Sequence, residues 1–420
     1  MRRKLLILMV SCTMVLALAA PLFAAGCDEA EPEKEVIVFG AARPLTGPFA
    51  VYEEMAFGPI YKMWVDEVNA RGGLYIEEYG KRLPIELKIY DDGSDMGTMT
   101  SMLERLILED EVDFILPPAS TAFLFAAAPI ANKHGYILMG AEGGGTTLTP
   151  LLPSLPYYFG VLNYSDHYQM PVLADILSDA GIETAAIMYL EDLHGVEYSG
   201  VAGIELTNAG IDIVMTKSVP LGVMDVSSII NQAKTLGAEA FLSFCYPDEN
   251  FLAIGTAIAL DYNPDVFLTG PGANFAFFAG VFGPAAEGIM GYGAWNTKSS
   301  AASEDFYEKF IALYDPGLLD WWGHNLYYAG LQFFEQAIEE AGTLDQAVIR
   351  EVMATSTFDT ILGPTWFDMT ADGEGGGLLA EECYTGQVGQ WQNGVFEVVD
   401  PGANRTAPPV IPKPAWPAEE

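Results

Sequence analysis

Basic residues are scarce in this chain: 19 lysines and arginines stand against 57 aspartates and glutamates over 420 positions. A surface so negative repels nucleic acid and anionic lipid headgroups, so nucleic acid is not an expected partner. Histidine occurs four times, at 134, 167, 194 and 324. There is no C-x-x-C and no H-E-x-x-H, so the pattern offers no metal site, and no cofactor is expected. No G-x-S-x-G occurs either, which leaves a secreted hydrolase without support and an enzyme disfavoured. Cysteine is as rare as histidine, at 12, 27, 245 and 383. Cys245 and Cys383 lie far apart in the sequence and are compatible with a disulfide or with two buried free thiols.

Long apolar runs are also few. One, Leu5–Ala20, follows Arg2, Arg3 and Lys4 and leads into PLFAAGC, ending at Cys27. A basic start, a short apolar core and small residues make a secretory signal rather than a membrane-spanning helix. Ala24-Ala25-Gly26-Cys27 resembles the bacterial lipobox, in which the cysteine is lipidated and becomes the new amino terminus. Ala24 stands where leucine is usual, and the alternative is an ordinary signal with an incidental cysteine. Residues 1–26 are therefore expected to be a signal peptide, and the acidic run 27–35 a lipidated tether. Phe275–Trp295 is apolar but broken by glycines, Pro284 and Glu287, so no second span is expected. The mature protein should sit outside the cytoplasmic membrane, in the periplasm or on the cell surface, anchored by lipid. Loss of the three basic residues leaves 57 acidic against 16 basic side chains, a net charge of −41. Any anion site must then be made by backbone N–H groups and a few hydroxyls.

What the chain does have is strand–helix alternation. EVIVFGAA from Glu35 reads as a strand, Tyr52–Arg71 as an amphipathic helix closed by Gly72-Gly73, and Pro84–Tyr90 as a second strand. Met99–Asp110 reads as a helix, then Val112–Leu116 and Tyr136–Met139 as buried strands flanking an apolar helix. Ser120 and Thr121 sit in the turn after the first of these strands, and Gly143, Gly144 and Gly145 in the turn after the second. Ligands of open α/β sheets bind at such carboxyl-terminal strand ends, and a helix start capped by Ser120 favours an anion. After a proline-rich break at Pro150–Pro156 and a crossing strand, the alternation resumes from Tyr168 to Thr269. From Glu304 the pattern is helical, and strands return at Gly363–Asp368 and on either side of Asn393-Gly394, a two-residue hairpin turn. The pattern predicts an α/β protein of two Rossmann-like lobes with mostly parallel central sheets.

PLTG at Pro44–Gly47, VNARGG at Val68–Gly73, Tyr90-Asp91-Asp92, the Ser120 turn, ILM before the glycine–threonine turn and GPTWFD at Gly363–Asp368 recur in family order. The chain resembles the type I periplasmic solute-binding proteins of ABC importers, in the branched-chain amino-acid and amide (Leu/Ile/Val-binding) group. The resemblance implies two lobes joined by a three-crossing hinge: 36–160 plus 296–383, and 161–295 plus 384–420. It implies a small polar ligand (a branched-chain amino acid, an amide or a related carboxylate) and an ABC permease in the cytoplasmic membrane as partner. A sensor of the same fold, signalling to a membrane partner, is the alternative.

Carried over by motif, Ser120 meets the ligand carboxylate with Thr121 beside it. The turn Gly143, Gly144 and Gly145 supplies backbone contacts and Thr146 a hydroxyl. Tyr52 flanks the ligand, His194 takes the place of a tyrosine before Gly195, and Tyr246 matches a tyrosine at a strand end. Trp321 and Trp322 lie near a ligand-side position, whereas Phe275, Phe277 and Phe278 read as core or lobe packing. One departure matters. The family's amino-acid binders carry a glutamate after Gly-Pro to hold the ligand ammonium, and here Gly272 follows Gly270-Pro271. A buried ammonium without a counter-charge is costly. Unless Asp248, Glu249 or Glu142 substitutes, amides, urea-like compounds and aliphatic or aromatic acids become options.

Overall fold

A computed structural model describes residues 34–162, 169–293, 295–383, 388–400 and 405–418, the side chain of Thr146 excepted. The expected signal, Cys27 and nearly all of the tether lie outside these residues. The described elements lie in one compact unit, Glu35–Glu420.

The alternation read from the sequence builds two sets of sheets. In the first, Ile37–Arg43 runs parallel between Ile85–Asp91 and Phe114–Ile115. Leu138–Gly140 and Tyr158–Gly160 form a further parallel pair, extended by Gly377–Leu379 and Phe367–Met369 from far down the chain. The second set is one seven-stranded sheet in the order Val395–Val398, Val388–Gln392, Met290–Tyr292, Val266–Thr269, Ala240–Phe244, Thr184–Leu190, Asp212–Val219. Its last five strands are mutually parallel, and the carboxyl-terminal hairpin joins antiparallel at one edge. Strands buried on both faces need no polar alternation, which is why AFLSF at Ala240–Phe244 is buried throughout. Strands before residue 161 share sheets with 367–379, and strands from 184 to 292 with 388–398, so the chain passes between the sets three times.

The observed elements depart from the expected boundaries in several places. The strands expected over Val112–Leu116 and Tyr136–Met139 are short, Phe114–Ile115 and Leu138–Gly140. The helix expected from Tyr52 begins at Ala50 and contains a π turn, Glu53–Phe57, before continuing as Gly58–Ala70. A small hairpin, Leu74–Ile76 with Lys81–Leu83, has no counterpart in the sequence reading. Asn393 and Gly394 have φ of 52° and 78°, the two positive values that a type I′ turn requires.

Phe39 anchors the first core, with Trp64, Phe114 and Phe334 at ring separations of 5.2, 5.0 and 5.7 Å. Phe334 belongs to Gly323–Ala341, so the helical run after Glu304 packs on the first sheet set. The second core gathers Phe241, Phe267, Phe278 and Trp391. The proline-rich tail runs extended along it: Gln392 Nε2 donates to the Pro408 carbonyl at 2.9 Å and Trp416 Nε1 to the Tyr262 carbonyl at 2.8 Å. Cys245 and Cys383 are both free and buried, which resolves the alternative left by the sequence. No helix among the described residues is long and apolar enough to cross a membrane.

Candidate ligand-binding site

The strand Phe114–Ile115 leads through Pro117 and Pro118 to Ser120, the residue that caps the helix Thr121–His134. Ser120 has φ 80° and ψ 153°, a strained backbone for a residue with a Cβ, of the kind that persists where the surroundings over-determine it. Its Oγ accepts the Phe123 N–H at 3.5 Å, a slack cap that leaves the hydroxyl free to turn. The Ser120 N–H donates to the Glu142 carbonyl at 3.3 Å, and the Thr121 hydroxyl donates to the Gly144 carbonyl at 2.9 Å. These bonds stitch the two turns together. Gly143 is required at this seam, since a Cβ there would lie 2.6 Å from the Ser120 carbonyl carbon and 2.7 Å from the Thr121 nitrogen. The first N–H groups of a helix lack intrahelical partners, and such a terminus favours an anion.

The seam is one side of a cavity of about 690 Å³, part of it open to solvent. Tyr52, Ser120, Thr121, Gly143, Gly144, His194 and Tyr246 all line it. Gly145 is not in its wall and lies against the Glu197 carboxylate, and the Thr146 side chain is outside the described residues. Gly272 is one residue beyond Pro271, which does line the cavity. With φ at 141°, Gly272 occupies backbone space that L-residues rarely adopt, and a Cβ would face Phe251, Pro247 and Asn250. A glutamate there would be strained and directed at those three residues.

The facing wall comes from the second sheet set. Asp192 caps the helix Leu193–Asn208 by accepting the Gly195 N–H at 2.8 Å, and its other oxygen accepts the Tyr246 hydroxyl at 2.7 Å. His194 stacks on Tyr246, ring centroids 5.3 Å apart. Burial pushes its imidazole pKa below the usual range, against the pull of the Asp192 carboxylate. A ring N–H meets the Gly270 carbonyl, and Nε2 has no partner. Phe49 and Tyr52, from the first wall, meet Tyr246 edge-on at 5.7 and 5.9 Å. These three rings and Phe275 also line a second cavity of about 910 Å³, likewise partly open to solvent, with Asp248 and Glu249 in its wall.

Of the carboxylates weighed as substitutes for the missing glutamate, Glu142 alone lines the first cavity. It is already engaged. Arg43 Nη1 lies 2.5 Å from Glu142 Oε2, the Tyr61 hydroxyl donates to Oε1, and Arg43 Nε donates to Glu53 at 2.7 Å. Glu53 is the first residue of the π turn. Burial pushes Glu142 up to about 7, with Arg43 opposing.

The sequence reading missed several wall residues: Phe49, Phe57, Tyr198, Tyr327 and Asp320. Trp322 is in the wall and Trp321 is not; Phe275, expected to pack, lines both cavities. The available signal for Asp320 was an acid set between apolar residues in Leu318–Trp322, a poor site for a solvated charge.

A family profile described as periplasmic binding protein matches residues 36–389. Leu/Ile/Val-binding protein homolog 7 of Brucella suis is 24% identical over 93% of this chain and 96% of its own length. A branched-chain amino acid transporter substrate binding protein of Streptococcus pneumoniae, solved with isoleucine, superposes with a TM-score of 0.72 at 19% identity, covering 87% of this chain and all of that one. A solute binding protein from Rhodopseudomonas palustris, solved with 3,4-dihydroxybenzoic acid, gives 0.70 at 18% identity, covering 87% and 99%.

Proposed function

The chain belongs to the periplasmic binding protein family, whose members bind solutes and are not enzymes, and from that premise we propose that it captures a small polar ligand between two closing lobes and hands it to an ABC importer. The lobes are 36–160 plus 296–383 and 161–295 plus 384–420, a division supported by the way the strands sort between sheets. Ser120, Thr121, Gly143 and Gly144 receive the ligand's carboxylate or amide head, while His194 and Tyr246 close on it from the other lobe. The observation that carries this reading is that seven residues from five separate chain segments line one cavity. Ligand contacts made by both lobes favour the closed state, and the permease reads that state.

A thermal-shift screen of the purified protein over amino acids, amides, urea and aromatic acids tests it, because a bound ligand raises apparent stability. At least one compound should raise the melting temperature, and Ser120→Ala should weaken that compound's binding while the ligand-free protein melts nearly unchanged. A Ser120→Ala protein that binds as the wild type does would remove the seam from the site. Lipid anchoring at Cys27 completes the proposal. Cys27→Ala should release the protein from the membrane fraction and abolish its labelling by a radioactive fatty acid.

A further inference from the structure

We propose that Asp320, and no residue at position 272, receives a cationic amine of the ligand, so that the receptor takes a zwitterion; the inference rests on reading this cavity as the ligand site. Asp320 is 2% exposed and lines the cavity wall. Its Oδ1 accepts three donors: Asn274 Nδ2 at 2.6 Å, the Trp322 N–H at 3.0 Å and the Gly323 N–H at 2.9 Å. None of the three goes to Oδ2. Among the described residues no lysine or arginine pairs with this carboxylate. A carboxylate held by N–H groups in a buried wall, without a cation, lacks the counter-charge that buried charges require.

The surroundings carry the same sign. Among the described residues Glu142 and Asp320 are the acids in the cavity wall and no lysine or arginine lines it; Arg43, which meets Glu142, is shared with Glu53. An acid that brings only negative charge is poorly matched to such a wall. The rings of Phe57, Trp322 and Tyr327 line the same cavity, and aromatic faces attract cations. The neutral His194, with one ring N–H on the Gly270 carbonyl, leaves Nε2 as a further acceptor for a ligand N–H. Against these stands the Ser120–Gly143 seam, which offers N–H groups to an anion. One cavity with both polarities fits a ligand with both charges. A quaternary ammonium carries the charge but no N–H for Oδ2, which favours a protonated amine.

Matched pairs test this: L-leucine against 4-methylpentanoate, and L-phenylalanine against 3-phenylpropanoate, titrated calorimetrically into the purified protein. The amino acid of the binding pair should bind about 10- to 100-fold more tightly than its deaminated partner, the range expected for one charge-assisted hydrogen bond. Asp320→Asn, which keeps an oxygen for the three N–H donors, should bring the two affinities together. Deaminated acids or benzoate binding as tightly as the amino acids, or an unchanged ratio in Asp320→Asn, overturns the proposal and leaves the receptor reading intact. If no member of either pair and no other compound in the screen binds, the receptor reading falls and this proposal with it. The wild-type comparison decides alone should the variant fold poorly.

Discussion

At Gly143 a single hydrogen stands where any side chain would collide with the backbone of Ser120 and Thr121. Gly143→Ala is therefore expected to force the two turns apart, lowering stability by about 1–3 kcal/mol and abolishing ligand binding, as read by urea unfolding and calorimetry. Asp320 carries a different kind of prediction. Burial raises its pKa to about 6, above the ordinary value near 4, with the Gly323, Asn274 and Trp322 donors pulling it down. The ligand-free fold thus holds this proton more tightly than the unfolded chain does. Its contribution to stability is full below about pH 4 and is lost as pH rises through about 6. Asp320→Asn should flatten that part of the stability–pH curve, and an identical slope in the variant would contradict the assignment. These two residues also mark what the sequence can disclose. Gly143 sits in a turn between a strand and a hydroxyl-bearing loop, a local pattern. Asp320 takes two donors from its own turn, Trp322 and Gly323, but the third from Asn274, 46 positions away, and the cavity it lines draws on segments as distant as Phe49, so no window of sequence contains its site.

Helix starts carry much of the positioning at the next scale. The helix Leu193–Asn208 is fixed by Asp192, which serves both as its cap and as the acceptor of the Tyr246 hydroxyl. Asp192→Ala removes both bonds, so a loss of about 1–2 kcal/mol is expected together with weaker ligand binding. Asp345 caps Gln346–Thr355, away from the cavity, through the Ala347 and Val348 N–H groups. Asp345→Ala should cost a similar cap energy and leave affinity alone, so the pair separates helix stability from site geometry. The π turn at Glu53–Phe57 was beyond the sequence reading, because the apolar spacing of Tyr52–Arg71 is that of an ordinary helix. What accompanies the turn is the Arg43–Glu53 hydrogen bond, which apolar spacing does not announce. Such wide turns recur at functional sites.

The whole molecule follows the alternation closely, because parallel strands buried on both faces leave long apolar runs that a sequence displays openly. Return of the 367–379 strands to the first sheets was legible through the family resemblance and not through any local pattern. The excess of acid acts at this scale too. With a formal charge of −38, self-repulsion opposes the folded state, and the melting temperature should rise by a few degrees between ~10 mM and ~0.5 M NaCl; a flat response would mean the charges are already neutralised. One feature reaches into kinetics. Phe49, Tyr52, Tyr246 and Phe275 line both cavities, so the two share one aromatic wall. A ligand that moved between the two cavities would have to part these rings, and its residence time would then depend on them as well as on the polar contacts. Stopped-flow measurements on Phe49→Ala should show association and dissociation quickening together, with the equilibrium constant moving less than either rate. On the proposed reading, affinity would be set at the seam and tempo at the rings that the two cavities share.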